Sequence, residues 1–166
     1  IKFKLRKLKI FYLKMAAGLQ FSGIIYTCNP SFNERVHEIA LQVPVVIIGD
    51  KNESLEIDAV ELNSMKPGII MAKHLIELGH KKVAFISMPL TERQIARTRR
   101  IDGFKAEFLK AGISEGVIIK SRAKEYDVAA PDTETEYRAG FDLTKELLSE
   151  MNDVTAIAGM NDMIAV

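Results

Sequence analysis

Arg93, Arg97, Arg99 and Arg100 form the most chemically loaded cluster in the sequence. Guanidiniums offer a rigid fork of donors that matches phosphates, carboxylates and polyol oxygens. Nucleic-acid binding is one reading of such a cluster, because guanidiniums neutralise phosphates. A solvated helix face is the commoner fate of basic residues on one helix. Arg100 differs from its neighbours. It lies three residues before Gly103 and four before Phe104, on the edge of an inward stripe. There its fork could meet a polyol or carboxylate in a crevice. The other reactive residue types are less suggestively placed. His37, His74 and His80 are scattered without metal-ligand spacing, and Cys28 has no partner cysteine. Cys28 reads as a small buried side chain rather than a nucleophile. His80, directly after Gly79, reads as a helix-exit residue rather than a general base. No G-x-G-x-x-G follows a strand, and neither a G-x-x-x-x-G-K-[ST] loop nor a G-x-S-x-G elbow occurs. The expectation is therefore no catalytic residue, no metal and no cofactor.

The elements that must position Arg100 follow from apolar patterning. Gly23–Cys28, Val43–Ile48, Ala59–Leu62, Lys81–Ser87, Val117–Ile119 and Val154–Ala158 read as short strands rich in β-branched residues. Between them lie helical patterns. Phe32–Leu41 is short, with Ser31 as its cap. The next helix starts at a cap on Asn63 or Ser64, carries Pro67 in its first turn, faces inward with Ile69, Ala72, Leu75 and Ile76, and stops at Gly79. Ala96–Lys110 faces inward with Ile101, Phe104 and Phe108. Thr135–Glu150 is expected to bury Tyr137, Phe141, Leu147 and Leu148, with acids at its N-terminal end as the helix dipole favours. Asn161-Asp162 would cap a last helix. Strands alternating with helices predict parallel sheets joined by right-handed crossovers, in an α/β fold. In such sheets the ligand crevice lies outside the carboxyl ends of the strands. The loops to watch follow Cys28, Ile48, Leu62, Ser87, Ile119 and Gly159.

Composition narrows the class. The chain has 166 residues, 48% hydrophobic and 27% charged, which suits one ordinary domain or two small lobes. One cysteine rules out an intramolecular disulfide framework. No apolar run approaches the roughly 20 residues that span a bilayer. The net charge of +1 hides an asymmetry: residues 1–14 carry six Lys or Arg and no acid, leaving 17 basic and 22 acidic side chains elsewhere. Leu5, Leu8, Tyr12, Met15 and Leu19 are spaced as a helical stripe within this basic leader, while Ile1, Phe3 and Leu5 alternate as a strand would. A basic amphipathic helix can lie on an anionic membrane or bind nucleic acid. The plainer reading is a solvated face packed on the domain. Lys14 interrupts the apolar stretch, so the leader does not read as a signal peptide.

Three stretches together resemble a known family. They are His74-Leu-Ile-Glu-Leu-Gly-His-Lys-Lys-Val-Ala-Phe-Ile86, Arg100-Ile-Asp-Gly-Phe104 and Ala156-Ile-Ala-Gly-Met-Asn-Asp-Met-Ile-Ala165. They are similar to the effector-binding core of LacI/GalR-type transcriptional regulators. Val43-Pro-Val-Val-Ile-Ile-Gly-Asp50 resembles that family's "P-V-V-x-I-D/G" strand, and Val60–Gly68 its "V-x-x-D-N-x-x-x-G". The match covers roughly residues 20–166, with five motifs in order. There are departures. Asn63-Ser64 stands where "D-N" is usual, Met88-Pro89-Leu90 where a Gly-Pro is commoner, and Glu136 where a Gly usually precedes the helix aromatic.

The resemblance implies a two-lobed, periplasmic-binding-protein-like (type I) fold with parallel sheets, incomplete here, with an effector held between the lobes. Residues 1–80 would belong to the N-terminal lobe, with 1–19 the basic leader, and 81–166 to the C-terminal lobe. Arg100 matches the family arginine that bonds effector oxygens, and Asn161 the asparagine whose amide can both donate and accept. Asp162 and Asn63 match neighbouring site positions, although a helix cap is the plainer role of Asp162 and is open to Asn161 too. The implied protein is a cytoplasmic repressor that senses a sugar or small metabolite and pairs as a homodimer. It would reach operator DNA only through a helix-turn-helix that is not among these residues, and it would not meet a membrane. Two alternatives stand beside it. One is a sugar-binding protein of a transporter with the same lobes. The other is an enzyme on a flavodoxin-like fold, for which no nucleophile–base pair or phosphate loop speaks.

Overall fold

Among the described residues, the β-branched runs form six short parallel strands, three in each of two sheets. The computed structural model describes residues 21–27, 33–51, 55–90, 94–121 and 133–166. The basic leader, Cys28, the Asn29-Pro30-Ser31 turn and Arg93 lie outside them. The chain divides into two units, residues 1–63 and 64–166.

In the first unit, β1 (Ile24–Tyr26), β2 (Val45–Ile48) and β3 (Asp58–Val60) lie in that order, all parallel. Ile24 sits opposite Val45, and Val46 opposite Asp58. The helix α1 (Asn33–Ala40) presents Val36 and Ile39 to Val45, Ile47, Leu55 and Ile57, which together make a small core.

In the second unit the order is β5 (Val117–Lys120), β4 (Val83–Ile86), β6 (Ala156–Gly159). All four residues of the central β4 are buried, so the strand reads as a continuous apolar run rather than an alternating one. The helices are α2 (Met65–Glu77), α3 (Ile95–Lys110), α4 (Thr133–Glu150) and the short α5 (Asp162–Ala165). The connection β4–α3–β5 runs to one side of β4, and β5–α4–β6 returns to the other. Right-handed crossovers then put α3 and α4 on opposite faces of the sheet. The core is built accordingly: Phe104 and Phe108 of α3 and Leu143 and Leu147 of α4 are all buried in one cluster with β4. Phe104 meets Phe85 edge-on at 5.0 Å between ring centroids, and Phe108 at 5.0 Å.

Two close approaches fix the helices around this sheet. A Cβ on Gly68 would lie 1.9 Å from the Arg100 carbonyl oxygen, and one on Gly103 2.3 Å from the Met65 carbonyl oxygen. The glycines of two separate motifs therefore face each other's helices, and α2 and α3 touch through bare backbone. On α4, a Cβ on Gly140 would lie 2.4 Å from the Ile164 carbonyl oxygen, which brings α5 equally close.

The compact units divide after residue 63, and α2 packs on α3 within the second. Two expectations change. On α4 only Leu147 of the four expected residues is buried; Tyr137, Phe141 and Leu148 are exposed, and Ala139, Gly140, Leu143 and Leu147 face inward. The reason is the close approach of α5, which admits small residues and excludes aromatics. Ser64 precedes α2 but its hydroxyl makes no cap bond, since its backbone is already helical at φ −62° and ψ −10°.

Candidate functional site

In the second sheet the chain reverses direction of travel between β4 and β6. That is a topological switch point, and its carboxyl end is where an open α/β sheet leaves a crevice. Two chain segments leave the sheet there: Ser87 after β4, and Met160-Asn161 after β6. They are tied together by the Met160 amide, which donates to the Ile86 carbonyl at 2.9 Å.

A polar cluster gathers at this end. The Arg100 guanidinium reaches from α3 and donates through Nη1 to the Met160 carbonyl at 2.5 Å, with the Met160 sulfur 3.8 Å away. Arg97, one turn earlier, places Nη2 3.5 Å from Glu136 Oε1. The other Glu136 oxygen accepts from Asn161 Nδ2 at 2.8 Å. Asn161 Oδ1 in turn accepts the Ile164 amide at 3.0 Å, which caps α5. Three elements are thus joined in one chain of contacts, α3 through Arg97 and Arg100, α4 through Glu136, and the β6–α5 turn through Asn161. The side chains of Arg97 and Glu136 are 16% and 15% exposed, so the pair is largely out of water. Burial lowers the pKa of the Arg97 guanidinium, and the Glu136 charge partly restores it. Arg97 Nη1 and Arg100 Nε are buried and find no acceptor among the described residues.

The residues singled out from sequence separate at this point. Arg100 bonds the carbonyl of Met160, the residue directly before Asn161, so both are placed at the β6–α5 turn. Asp162 follows in the first turn of α5 and is exposed. The capping role expected of it falls to Asn161, because Asn161 has the extended backbone (φ −148°) that a cap requires. Asn63 ends the first unit, exposed and at φ +47°. Asparagine tolerates that left-handed conformation better than most residues, which is a backbone reason for its presence. Sequence reasoning missed Glu136, noting it only as a departure from the family pattern. An acid in the first turn of a helix is accounted for by the dipole alone. The signal that separates Glu136 from Glu134 is its register, since Glu134 is exposed and pairs along its own helix with Arg138.

The histidines hold no place in this cluster. His37 and His74 are exposed. His80 Nδ1 is 3.0 Å from Thr155 Oγ1, and that hydroxyl donates to the Lys82 carbonyl at 3.1 Å. The ring nitrogen must then be the donor, and His80 ties the exit of α2 to the entry of β6. Among the described residues, no group of three or more His, Cys, Asp or Glu could hold a metal ion. No helix among them is long and apolar enough to cross a membrane.

The family model for periplasmic binding proteins and the sugar-binding domain of the LacI family matches residues 6–166. Catabolite control protein A of Priestia megaterium is 26% identical over 159 residues, which are 95% of this chain and 45% of that protein. The transcriptional repressor PurR of Vibrio atlanticus is 32% identical over 114 residues, 66% of this chain and 33% of that protein. Among solved structures, a LacI transcriptional regulator from a Rhodococcus species is similar with a TM-score of 0.73 at 20% identity, over 92% of this chain and 52% of that one. The regulator CelR in complex with cellobiose is similar with a TM-score of 0.65 at 21% identity, over 92% of this chain and 44% of that one. The chain spans less than half the length of these two relatives and about half that of these structures.

Proposed function

The chain belongs to the family of periplasmic binding proteins and LacI-type sugar-binding domains, and from that premise we propose that it is the effector-sensing part of a DNA-binding transcriptional repressor. The observation that carries the proposal is the polar cluster at the switch point of the second sheet. Arg100 and Asn161 converge there from α3 and the β6–α5 turn, where an open α/β sheet takes its ligand. We assign both to the effector, with Asp162 beside them. The effector is a sugar or a small metabolite. It acts by binding one arrangement of the protein better than another, and that difference in affinity moves the equilibrium that the DNA-binding region reads. The working protein is a cytoplasmic homodimer that engages its operator through a helix-turn-helix outside these residues, and it performs no catalysis.

A solute-binding protein of a transporter shares this architecture. The relatives named above are regulators of transcription, which favours the first reading. The reading frame upstream of Ile1 discriminates cheaply: a helix-turn-helix supports the repressor, and a signal peptide supports the transporter component.

Replacing Arg100 by Ala tests the site. Binding of the effector, found by titration calorimetry against a sugar panel, is expected to weaken about tenfold or more, as loss of a charged hydrogen bond implies. The substitution also removes the bond to the Met160 carbonyl, so the melting midpoint is expected to fall by a few degrees. Titrations therefore belong well below that midpoint. Unchanged affinity would remove Arg100 from the site.

A further inference from the structure

The cluster at the end of β6 has a lopsided inventory. Its acceptors are engaged: Glu136 Oε1 faces Arg97, Glu136 Oε2 takes the Asn161 amide, Asn161 Oδ1 takes the Ile164 amide, and the Met160 carbonyl takes Arg100. The unused capacity is donor capacity, on Arg97 Nη1 and Arg100 Nε. The formal charges are lopsided as well. Two guanidiniums share one largely buried carboxylate, and the next carboxylate, Asp162, is exposed in the first turn of α5. A buried donor without an acceptor is costly, and a half-buried guanidinium gains from a nearby opposite charge. A neutral sugar's hydroxyls can accept from these donors, but each also brings a donor of its own and none brings charge. An anionic group brings acceptors alone, together with the missing charge.

We propose that the effector carries a phosphate or carboxylate group, and that Arg97 and Arg100 together receive it. This deepens the sensing reading above and rests on it. Arg100 is the residue the family resemblance points to; Arg97 and Glu136 are assigned by the contacts in this structure. Arg97 supplies the second guanidinium, and Glu136 tunes the site by holding both Arg97 and Asn161 in place while offsetting one positive charge. Glu136 is thus a specificity-determining residue: its charge works against the anion that the arginines attract.

Calorimetry on the full chain with matched probes tests this: ribose and ribose 5-phosphate, glucose, glucose 6-phosphate and gluconate. The phosphorylated sugars or gluconate are expected to bind at least about tenfold tighter than their neutral parents, the margin of one charge-assisted bond. The tighter of the two anion types identifies the group. Arg97→Gln is expected to lower the anion's affinity more than the neutral parent's and so to shrink that margin several-fold. Glu136→Gln is expected to widen it, which a merely structural Arg97–Glu136 pair would not do. Circular dichroism of both variants checks that they fold, and Arg97→Lys, which keeps the charge but not the fork, is expected to fall between wild type and Arg97→Gln. Equal affinity for neutral and anionic partners overturns the anionic class and leaves the sensing reading standing. Equal weakening by Arg97→Gln and Glu136→Gln overturns it too. Binding of none of the five probes overturns the anionic class and counts against the sensing reading with it.

Discussion

Replacing Gly68 by Ala is expected to lower the melting midpoint of the second unit by roughly 5–20 °C, a loss of about 1–3 kcal/mol. The added Cβ would sit 1.9 Å from the Arg100 carbonyl oxygen. No side chain can rotate out of the way, because the obstruction is backbone. The helices α2 and α3 must part, and every contact along their crossing loosens. Helix propensity works in the opposite direction, since Ala is favoured over Gly inside a helix by about 1 kcal/mol. The steric term is expected to win because the distance is far inside contact. Ile70, two residues along the same helix and 56% exposed, supplies the control. Ile70→Ala is expected to move stability by no more than about 0.5 kcal/mol. Thermal melts followed by circular dichroism check both. A Gly68→Ala variant as stable as wild type would show that the two helices do not touch through backbone. The same variant bears on function, because the displaced atom belongs to Arg100. Effector affinity is expected to fall even where the protein remains folded.

The second large effect belongs to Phe104. Its ring is fully buried and sits between Phe85 of the central strand and Phe108 on its own helix. Phe104→Ala empties the place where α3 packs on the sheet. The expected cost is about 3–5 kcal/mol, the range for large aromatic-to-alanine changes in cores. Two aromatic contacts, each worth about 0.5–1.5 kcal/mol beyond area, are part of that. Phe104→Leu keeps most of the volume and is expected to cost under half as much. Urea titration of the second unit's transition distinguishes the two. Equal costs for Ala and Leu would mean that the aromatic geometry, rather than the filled volume, holds α3 in place.

Much of the second unit was legible in the sequence. The inward face of α3 appears as Ile101, Phe104 and Phe108, because large apolar residues at helical spacing have few other uses. Strand order and site position followed less directly. They required the rule that crossovers are right-handed and the observation that β4 is central. What failed did so for a common reason. Apolar size was taken as the measure of burial on α4, whereas the inward face is that of Ala139, Gly140, Leu143 and Leu147, and Gly140 is where α5 comes close. The packing of α2 on α3 was not legible either: Gly68, in mid-helix, records which partner α2 packs against, and only the structure shows that it meets backbone. The resemblance pointed to Arg100 and Asn161, which the structure sets at one turn. It did not point to Glu136, whose partners come from elements 39 and 25 residues away in sequence. A helix dipole had already explained the presence of an acid at that position.

The central claim is that an effector binds at the carboxyl end of β6, against Arg100 and Asn161. The most direct measurement is a heteronuclear NMR titration of the isotopically labelled chain with its best-binding sugar or sugar phosphate. It should follow the Arg100 Nε–H and Asn161 Nδ2–H₂ resonances, with the backbone amides of Met160 and Ile164 beside them. Saturable shifts centred on these four groups are the result the account predicts. Saturable binding that leaves them unmoved, with shifts centred elsewhere in the chain, would contradict it.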